Sequence, residues 1–420
     1  MTKKIKVLTL SDHPLSPSGV GTQTRYVIEA LLKTGKFQVI SLGGAIKHKD
    51  YTPRIVEQWG EDWKIIPVDG YGSQEMIRSI LRNEKPDILW MMTDPRFYGW
   101  LWQIENEIRP LCPIVYYHVW DNLPAPHFNA KFYNSNDQIV SISKLTDSIV
   151  REVAPDVSCR YIPHAVREDV FTPVSEQERD QLRKNSLGSD SDKFIAFWNN
   201  RNARRKQSGT LLFWWKEWLD KRELHQKAQL IMHTEPTDPH GQDLSHIVKQ
   251  LGLDSDRQVL FSTQKIPLEQ MGTFYRIADV TINISDAEGF GLATLESLSC
   301  GTPIIANMTG GLQEQVIGPE GENGVAIFPS SKAVIGSQEV PYIYEDRISK
   351  ESFMAALDKM YFCDEKTRRE LGAQGHRHVR QNYSFDNFEK QWVETMLQVH
   401  EDYGSWPTNV YSSIVFKEVA

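Results

Sequence analysis

The sequence predicts an α/β protein made of two doubly wound halves, and three observations support this fold class. Short apolar runs alternate with amphipathic stretches along the first half, as they do in repeated β-α units that build a parallel sheet. After a polar stretch, the same alternation starts again near Phe194 and continues through the second half. The chain has 420 residues, which is too long for one ordinary hydrophobic core and favours two or three domains.

The first half contains apolar runs that we expect to be the strands of one sheet. In chain order they are Ile5–Leu10, Phe37–Ser41, Asp87–Met92, Ile114–His118, Gln138–Ile142 and Cys159–Ile162. Thr22–Lys33 is predicted to be a helix that ends at Gly35, because a glycine suits the position just after a helix. Gln74–Arg82 is predicted to be another helix, which ends before Pro86.

The second half repeats this pattern after the polar stretch 167–193, which we interpret as the connection between the halves. Its expected strands are Phe194–Trp198, Ala228–His233, Gln258–Phe261, Val280–Ile284, Pro303–Ala306 and Gly324–Phe328. Its expected helices are Thr210–Leu219, Leu268–Ile277, Ala293–Leu298 and, from its helical period of apolar residues, Ser384–Tyr403. Because ligands of doubly wound sheets bind beyond the carboxyl ends of the strands, the loops after these strands are where chemistry is expected.

Composition and charge narrow the functional classes. Hydrophobic residues make up 40% of the chain, and the formal net charge of −8 disfavours a generally basic surface for nucleic acid. The basic start of the chain leads directly into a strand, so no signal peptide is predicted, and no apolar run approaches the roughly 20 residues that span a bilayer. The four cysteines are far apart and lack metal-ligand spacing. These features predict a cytoplasmic protein with reduced thiols.

The strongest motif is the segment 285–303, which joins a predicted strand to a predicted helix. Glu288, Gly289 and Gly291 lie in the loop, and Glu296 lies in the helix that begins near Leu292. Glycines let the backbone approach a ligand closely, and the free N–H groups at the start of a helix suit a diphosphate. Eight helical positions correspond to about 12 Å, so one carboxylate could bind a ribose while the other meets a sugar. The alternative is a helix capped by its own acidic residues.

This segment resembles the E-x7-E motif of the retaining GT-B glycosyltransferases of the GT4 family, the glycosyl transferases group 1. The continuation 301–314, Gly-Thr-Pro-Ile-Ile-Ala-Asn-Met-Thr-Gly-Gly-Leu-Gln-Glu, is also similar to the run that follows the motif there. The resemblance implies that Glu296 binds the ribose of a nucleotide-sugar donor and that Glu288 acts near the donor sugar. It further implies that the backbone amides of Phe290, Gly291 and Leu292 face the sugar and the phosphates.

The second motif is the basic run 199–207, Asn-Asn-Arg-Asn-Ala-Arg-Arg-Lys-Gln, which directly follows a predicted strand. Its alternative interpretation is a solvated loop. Its place at the carboxyl end of a strand favours a phosphate clamp. The resemblance implies that Arg201 and Lys206 act catalytically, by stabilising the diphosphate as it leaves. Arg204 and Arg205 exceed that requirement and either contact an acidic acceptor or solvate the loop.

The third candidate is the loop 16–22, which carries Gly19 and Gly21 between the first strand and the first helix. A dinucleotide-binding G-x-G-x-x-G would need a third glycine where Thr24 stands, and an acidic residue at the end of the second strand. An NAD-dependent oxidoreductase is therefore disfavoured, and a plain tight turn is the alternative. The resemblance implies that this loop lines the cleft near the donor phosphates and the acceptor.

Weaker candidates complete the predicted site. His118 ends a buried-looking strand, and a lone histidine there is more often structural than catalytic. The resemblance nevertheless implies a catalytic contact between His118 and the donor sugar, with Asp121 as a weaker neighbour. It also implies that Lys265 and Ile266 pass the nucleobase.

Four further features are either interpreted without a catalytic role or differ from the expected pattern. The aromatic segment 213–218 is expected to pack in the core rather than dock on a membrane, and Asp254-Ser-Asp256 is only superficially like a metal-binding D-x-D. The turn 163–166, Pro-His-Ala-Val, lacks a glycine that the family usually has, and the loop 232–241 is longer than expected.

The resemblance implies a GT-B architecture, in which two Rossmann-like domains face each other across a cleft. The predicted bounds are 1–170 for an acceptor-side domain, 171–193 for a linker, 194–383 for a donor domain, and 384–420 for a helix and tail that cross back to the first domain. The implied reaction is sugar transfer with retention to a hydroxyl acceptor, with a nucleotide-diphosphate sugar as co-substrate and neither metal nor other cofactor.

Several alternatives remain open at this level. They are a phosphorylase or a nucleotide-sugar epimerase of related fold, and a non-catalytic nucleotide- or glycan-binding module. The acceptor is expected to be a glycan or a lipid-linked glycan, and nucleic acid would enter only as a substrate with a modified DNA base. The sequence does not indicate the donor base, the donor sugar or the oligomeric state.

Overall fold

The structure is a computed structural model that describes residues 3–120, 122–404 and 406. These residues fall into two compact units. The first contains the described residues up to His164, Gly336–Tyr342, and the described residues from Asp386 onward, and the second contains Ala165–Ile335 and Ile343–Phe385. Each unit is built around one predominantly parallel sheet, as the alternation of strands and helices predicts.

The sheet of the first unit has the strand order β3-β4-β2-β1-β5-β6-β7-β8, and its pairs are parallel except β3 with β4. The strands are β1 (Ile5–Asp12), β2 (Phe37–Gly44), β3 (Arg54–Ile55), β4 (Trp63–Pro67), β5 (Ile88–Thr93), β6 (Ile114–His118), β7 (Gln138–Ser141) and β8 (Cys159–Tyr161). The helices are α1 (Gly19–Lys33), α2 (Gln74–Glu84), α3 (Gly99–Trp102), α4 (Glu105–Ile108), α5 (Ala130–Asn134) and α6 (Lys144–Val153). Every residue of β5 and β6 is buried, because helices cover both faces of the sheet centre.

The sheet of the second unit has the order β11-β10-β9-β12-β13-β16 and is parallel throughout. Its strands are β9 (Phe194–Asn199), β10 (Ala228–His233), β11 (Val259–Ser262), β12 (Val280–Asn283), β13 (Ile304–Asn307) and β16 (Gly324–Ile327). Two antiparallel pairs stand beside it: β14 (Ile317–Gly318) with β15 (Gly321–Glu322), and β17 (Ser331–Ile335) with β18 (Ile343–Arg347).

The helices of the second unit are α7 (Glu176–Leu187), α8 (Ser208–Arg222), α9 (Leu244–Gln250), α10 (Leu268–Ile277), α11 (Leu292–Ser299), α12 (Leu312–Val316), α13 (Lys350–Phe362) and α14 (Glu365–Asn382). The stretch predicted as a linker contains the helix α7, which was not predicted because its sequence is mostly polar. A capping box of Ser175 and Glu178 starts this helix, and Arg183 fixes it by donating to the carbonyl of Ile277. Trp215 and Trp218 of α8 are fully buried, as expected for core packing, but Phe213 of the same aromatic segment is 53% exposed.

The last described helix, α15 (Phe385–Tyr403), adds its apolar face to the first unit. Trp392 is fully buried, and its ring centroid lies 5.9 Å from that of Trp90 and 4.8 Å from that of Tyr117. No helix among the described residues is long and apolar enough to cross a membrane. The cytoplasmic location stays a prediction.

Candidate functional site

The site in the second unit is positioned by the order of its strands. From β9 the sheet grows in one direction through β10 and β11, and in the other through β12, β13 and β16. The direction reverses between β9 and β12, and a doubly wound sheet binds ligands beyond the carboxyl ends of its strands at such a switch point. The basic run 199–207 follows β9, and the glycine-bearing loop 284–291 follows β12. The strand order therefore brings the two strongest sequence motifs together.

An ion pair joins the two loops. The ammonium group of Lys206 donates to a carboxylate oxygen of Glu288, and both side chains are about nine-tenths buried. Arg205 lies beside this pair, with a guanidinium nitrogen 3.9 Å from the same carboxylate, and it donates to the carbonyl of Ala287. Burial acts to raise the pKa of Glu288, but the charges of Lys206 and Arg205 outweigh it and lower the pKa. The glutamate is therefore ionised and the lysine is held at the switch point.

The loop after β12 is shaped by glycines. Gly291 has φ of +90° and precedes α11, where a Cβ would come within 2.5 Å of a Leu312 methyl group. The start of α11 has no side-chain cap, so its first N–H groups, from Leu292 onward, are available to an anion. The ring of Phe290 is buried, which leaves only its backbone for a ligand, and Gly289 packs its carbonyl close to Gly311.

Glu296 lies on α11 in a different electrostatic environment from Glu288. The hydroxyl of Tyr275 donates to its carboxylate at 2.5 Å, and Asn199, the last residue of β9, donates to that hydroxyl at 2.8 Å. Burial raises the pKa of Glu296 to about 7, although the tyrosine hydrogen bond acts in the opposite direction. Tyr275 and Asn199 were not found by sequence reasoning. The place of Asn199 at the end of a strand was a usable signal, whereas that of Tyr275 depends on tertiary packing.

The side chain of Arg201 forms its hydrogen bonds away from the Lys206–Glu288 pair. Its guanidinium group donates to Asp238 at 2.7 Å and to His240 at 2.8 Å, and its side chain is 61% exposed. Asp238 and His240 belong to the long loop after β10, the neighbour of β9 on the side away from β12. The hydrogen bonds of Arg201 lower the pKa of Asp238 to about 2.

The surplus arginines of the basic run have their own partners. Arg204 pairs with Glu345 of β18, a carboxylate that is 2% exposed and also pairs with Arg347 at 3.0 Å. Burial raises the pKa of Asp286, in the loop after β12, to about 6, against the opposing hydrogen bond from Gln207. Sequence reasoning found neither Glu345 nor Asp286.

The predicted nucleobase residues Lys265 and Ile266 lie between β11 and α10. Lys265 is exposed and Ile266 is half-buried.

The predicted loop of the first unit also lies at a switch point, between β1 and β5. Gly19 begins α1, and Gly21 donates its N–H to Ser18 at 2.9 Å. A Cβ on Gly21 would lie 2.7 Å from the carbonyl oxygen of His13, so the tight loop requires glycine there. Ser18 in turn donates to Asp12 at 2.6 Å.

His118 ends β6 with no exposed surface, and both its ring nitrogens have partners. Nε2 lies 2.7 Å from the hydroxyl of Tyr133, and Nδ1 lies 3.0 Å from that of Tyr116. Burial lowers the pKa of His118 to about 3, and it has the same effect on His164, so both imidazoles are neutral. Asp121 lies outside the described residues.

No group of three or more histidine, cysteine, aspartate or glutamate side chains within the described ranges is arranged to hold a metal ion. The Asp254-Ser-Asp256 segment forms a turn instead, in which the Asp254 carboxylate accepts the N–H groups of Asp256 and Arg257. The four cysteines are free thiols, and Cys112 and Cys300 are buried.

Comparison with known proteins shows a family match in the second unit. The model of the family described as glycosyl transferases group 1 matches residues 180–375. A D-inositol 3-phosphate glycosyltransferase of Corynebacterium jeikeium (strain K411) is 32% identical over 177 residues, which are 41% of this chain and 41% of that protein. A trehalose synthase of Pyrococcus horikoshii is 29% identical over 114 residues, 27% of this chain and 26% of that protein. The matches thus span less than half the length of these relatives.

Solved structures share the fold over nearly the whole chain. The sucrose-phosphate synthase of Thermosynechococcus elongatus has a TM-score of 0.74 at 18% identity, covering 95% of this chain and 100% of that one. The HepE protein of Anabaena, in complex with UDP and glucose, has a TM-score of 0.67 at 15% identity, covering 94% and 100%. The predicted GT-B fold of two Rossmann-like domains is confirmed. Residues 180–375 of this chain are similar to the family of glycosyl transferases group 1.

Proposed function

We propose that this chain is a retaining glycosyltransferase that moves a sugar from a nucleotide-diphosphate sugar to a hydroxyl acceptor, without a metal ion or other cofactor. The observation that carries the proposal is the ion pair of Lys206 with Glu288 at the switch point between β9 and β12, across 82 positions of sequence. It supports the proposal because diphosphate chemistry needs a positive charge at the carboxyl edge of such a sheet.

Each group at this edge has a role in the proposed reaction. Lys206, assisted by Arg205, stabilises the charge that develops on the leaving diphosphate, and the uncapped start of α11 adds backbone N–H donors. Donor binding frees the Glu288 carboxylate from Lys206 to accept hydroxyls of the sugar. Glu296 accepts the ribose hydroxyls. Arg201 joins the phosphates only if it leaves Asp238.

The proposed chemistry needs no protein nucleophile. The acceptor hydroxyl attacks the anomeric carbon on the face from which the diphosphate departs, and a phosphate oxygen takes its proton, so the configuration is retained. His118 enters the proposal by resemblance alone, because tyrosine hydroxyls occupy both its ring nitrogens. A glycan or another hydroxyl compound is the proposed acceptor.

A thermal-shift panel of UDP, GDP, ADP, CMP and NAD, each with and without EDTA, tests the donor. UDP is the first compound to examine, because the Anabaena protein of the same fold was solved with UDP and glucose. We expect one nucleoside diphosphate to raise the melting temperature equally with and without EDTA, since a ligand that binds only the folded state stabilises it. A shift with NAD alone, or a shift abolished by EDTA, contradicts the proposal.

The matching nucleotide sugar then tests the reaction. Proton NMR of the transferred sugar is expected to show the anomeric configuration of the donor in the product, and an inverted product would refute retention. Transfer to inorganic phosphate would identify a phosphorylase, and release of an isomerised nucleotide sugar would identify an epimerase.

A further inference from the structure

The second unit has another concave site, at the opposite edge of its sheet from the Lys206–Glu288 pair. It is a cavity of about 350 Å³, which falls within the range of about 300–1,000 Å³ typical of small-molecule sites. Its lining includes residues that directly precede strands: Ala278 and Asp279 come before β12, and Thr302 and Pro303 come before β13. Because the strands are parallel, the cavity lies at their amino ends, away from the loops that follow β9 and β12.

Positive charge dominates this cavity. The lining cations are Arg179, Arg276, Arg368, Arg369 and Arg377, and the lining carboxylates are Glu176, Asp279 and Glu365. Among the lining residues that the structure describes, arginines therefore exceed carboxylates by five to three, in a chain whose formal net charge is −8. The lining thus carries an excess of positive charge, although the chain as a whole is negatively charged. This local charge favours an anionic ligand.

Two of the lining arginines are paired with carboxylates: Arg369 with Glu176 and Glu365, and Arg377 with Glu320, which does not line the cavity. The third lining carboxylate, Asp279, does not neutralise its arginines one by one. Asp279 is shared by three guanidinium groups, since its oxygens lie 2.9 Å from Arg179, 3.1 Å from Arg183 and 4.0 Å from Arg368. The hydrogen bonds of Arg276 go to backbone carbonyls in the segment before α7, at 2.9 and 2.7 Å. Carbonyl oxygens fix the position of a guanidinium group without cancelling its charge.

Two donors in the lining lack an acceptor. The Nε atoms of Arg368 and Arg369 are buried, and neither has a hydrogen-bond partner within the described part of the chain. A buried donor without a partner is unfavourable unless a ligand or water supplies an acceptor. A tetrahedral phosphate presents several acceptor oxygens and matches the forked donors of arginine.

We propose that this cavity binds the phosphate group of a small molecule, with the phosphate held by Arg276, Arg368 and Arg369. Apolar surface from Pro173 and Pro303 lies beside these cations and accommodates the remainder of a phosphate ester. The site is separate from the proposed donor site, so its occupancy does not depend on glycosyl transfer.

Ala373 offers a test that removes none of the hydrogen bonds described above. It lies on α14, lines the cavity, and is exposed. Ala373→Glu places a negative charge at the cavity, whereas Ala373→Gln adds a side chain of the same size without charge. Gln381→Glu, at an exposed position on the same helix, controls for the change in net charge. Lys206→Ala removes the phosphate-binding lysine of the donor site.

Equilibrium dialysis with radiolabelled inorganic phosphate measures binding to the full chain and to each variant. We expect Ala373→Glu to weaken the phosphate dissociation constant by at least about tenfold, a loss of about 1.4 kcal/mol. Ala373→Gln, Gln381→Glu and Lys206→Ala are expected to retain this binding within about twofold. The comparison of glutamate with glutamine separates charge repulsion from obstruction of the cavity.

Two results would overturn the assignment. One is unchanged phosphate binding by Ala373→Glu, and the other is binding that only Lys206→Ala abolishes, which would place the phosphate at the donor site. Competition in the Lys206→Ala variant then separates the sources of the phosphate. Displacement of the label by glucose 6-phosphate indicates a sugar phosphate, displacement by AMP indicates a nucleotide, and displacement by neither indicates inorganic phosphate itself.

Discussion

The two units have the same arrangement of strands around their switch points but different chemistry there. In the second unit, Lys206 and Glu288 form a buried ion pair between adjacent loops. In the first, the carboxylate of Asp12 at the end of β1 accepts hydrogen bonds from the hydroxyls of Ser18, at 2.6 Å, and Tyr71, at 2.8 Å. The sheet therefore determines where a ligand site can form, and the loop residues determine what the site can do.

The titratable groups whose pKa values are shifted by burial also differ between the two units. The first unit holds His118 and His164 in the neutral state, with pKa values lowered to about 3. In the second unit, Glu296 and Asp286 have pKa values raised to about 7 and about 6. Burial is the largest cause in all four cases. The two units are consequently expected to respond to pH in opposite directions.

The largest expected effect is the loss of catalysis when Lys206, the cation at the switch point of the second unit, is replaced. Lys206→Ala is expected to lower kcat by about 10²–10³, as for other donors that stabilise developing negative charge. Steady-state kinetics with a cognate donor and acceptor measures it. Lys216→Ala, which removes a lysine of α8 paired with Asp220, is the matched control and should retain the wild-type rate. Wild-type turnover by a folded Lys206→Ala variant would remove the leaving-group role.

The second effect concerns stability of the first unit in acid. The unfolded chain protonates His118 and His164 below about pH 6.5, whereas the folded unit keeps them neutral down to about pH 3. The free energy of unfolding is therefore highest above pH 6.5 and decreases as the pH is lowered. At pH 5.5 each histidine has lowered it by about 1.4 kcal/mol. Native-state hydrogen exchange, corrected for intrinsic rates, should show reduced protection of β6 at pH 5.5 relative to pH 7.5.

The second unit provides the internal comparison for that measurement. The raised pKa values of Glu296 and Asp286 contribute stability that is present below the unfolded values and is lost as pH rises through about 7 and about 6. Protection of β12 should therefore not fall along with that of β6 on acidification. Parallel loss of protection in both strands would contradict the assigned protonation states.

The third effect is the pH dependence of nucleotide binding through Glu296. In the proposed donor complex, ribose hydroxyls donate to the ionised carboxylate of Glu296, and the free protein ionises this group only as pH rises through about 7. Binding of the nucleoside diphosphate is thus expected to weaken about tenfold from pH 8 to pH 6. Isothermal titration calorimetry measures this dependence. Glu296→Gln should bind more weakly at pH 8 and lack that pH dependence, and an identical dependence in both proteins would exclude Glu296 as its cause.

The smallest effect tests the helix that sequence patterning missed. Ser175→Ala removes the capping box of α7 and should cost the second unit about 1 kcal/mol of unfolding free energy. Urea denaturation measures the loss. Ser148→Ala removes an exposed serine inside α6, away from any cap, and should change stability by less than about 0.5 kcal/mol. Equal losses in both variants would show that the capping box contributes nothing specific.

Much of the fold could be predicted because its signals are local. β6 and β10 have the predicted bounds, and α10 does too, since apolar runs and helical periods depend only on neighbouring residues. α7 could not be predicted in this way because it is polar over most of its surface and is held by tertiary contacts. The candidate site was predicted as two separate motifs, whose contact depends on the order of strands.

The sequence by itself determined the fold class, the loops that follow β9 and β12, and the residue types available there, because each is written in contiguous stretches of chain. Only the tertiary structure decided that Lys206 contacts Glu288, that Arg201 turns to Asp238, and that the Glu296 carboxyl has a pKa near 7. These outcomes depend on which strands are adjacent and on how completely burial shields the side chains from water. Neither quantity is encoded at any single position of the chain.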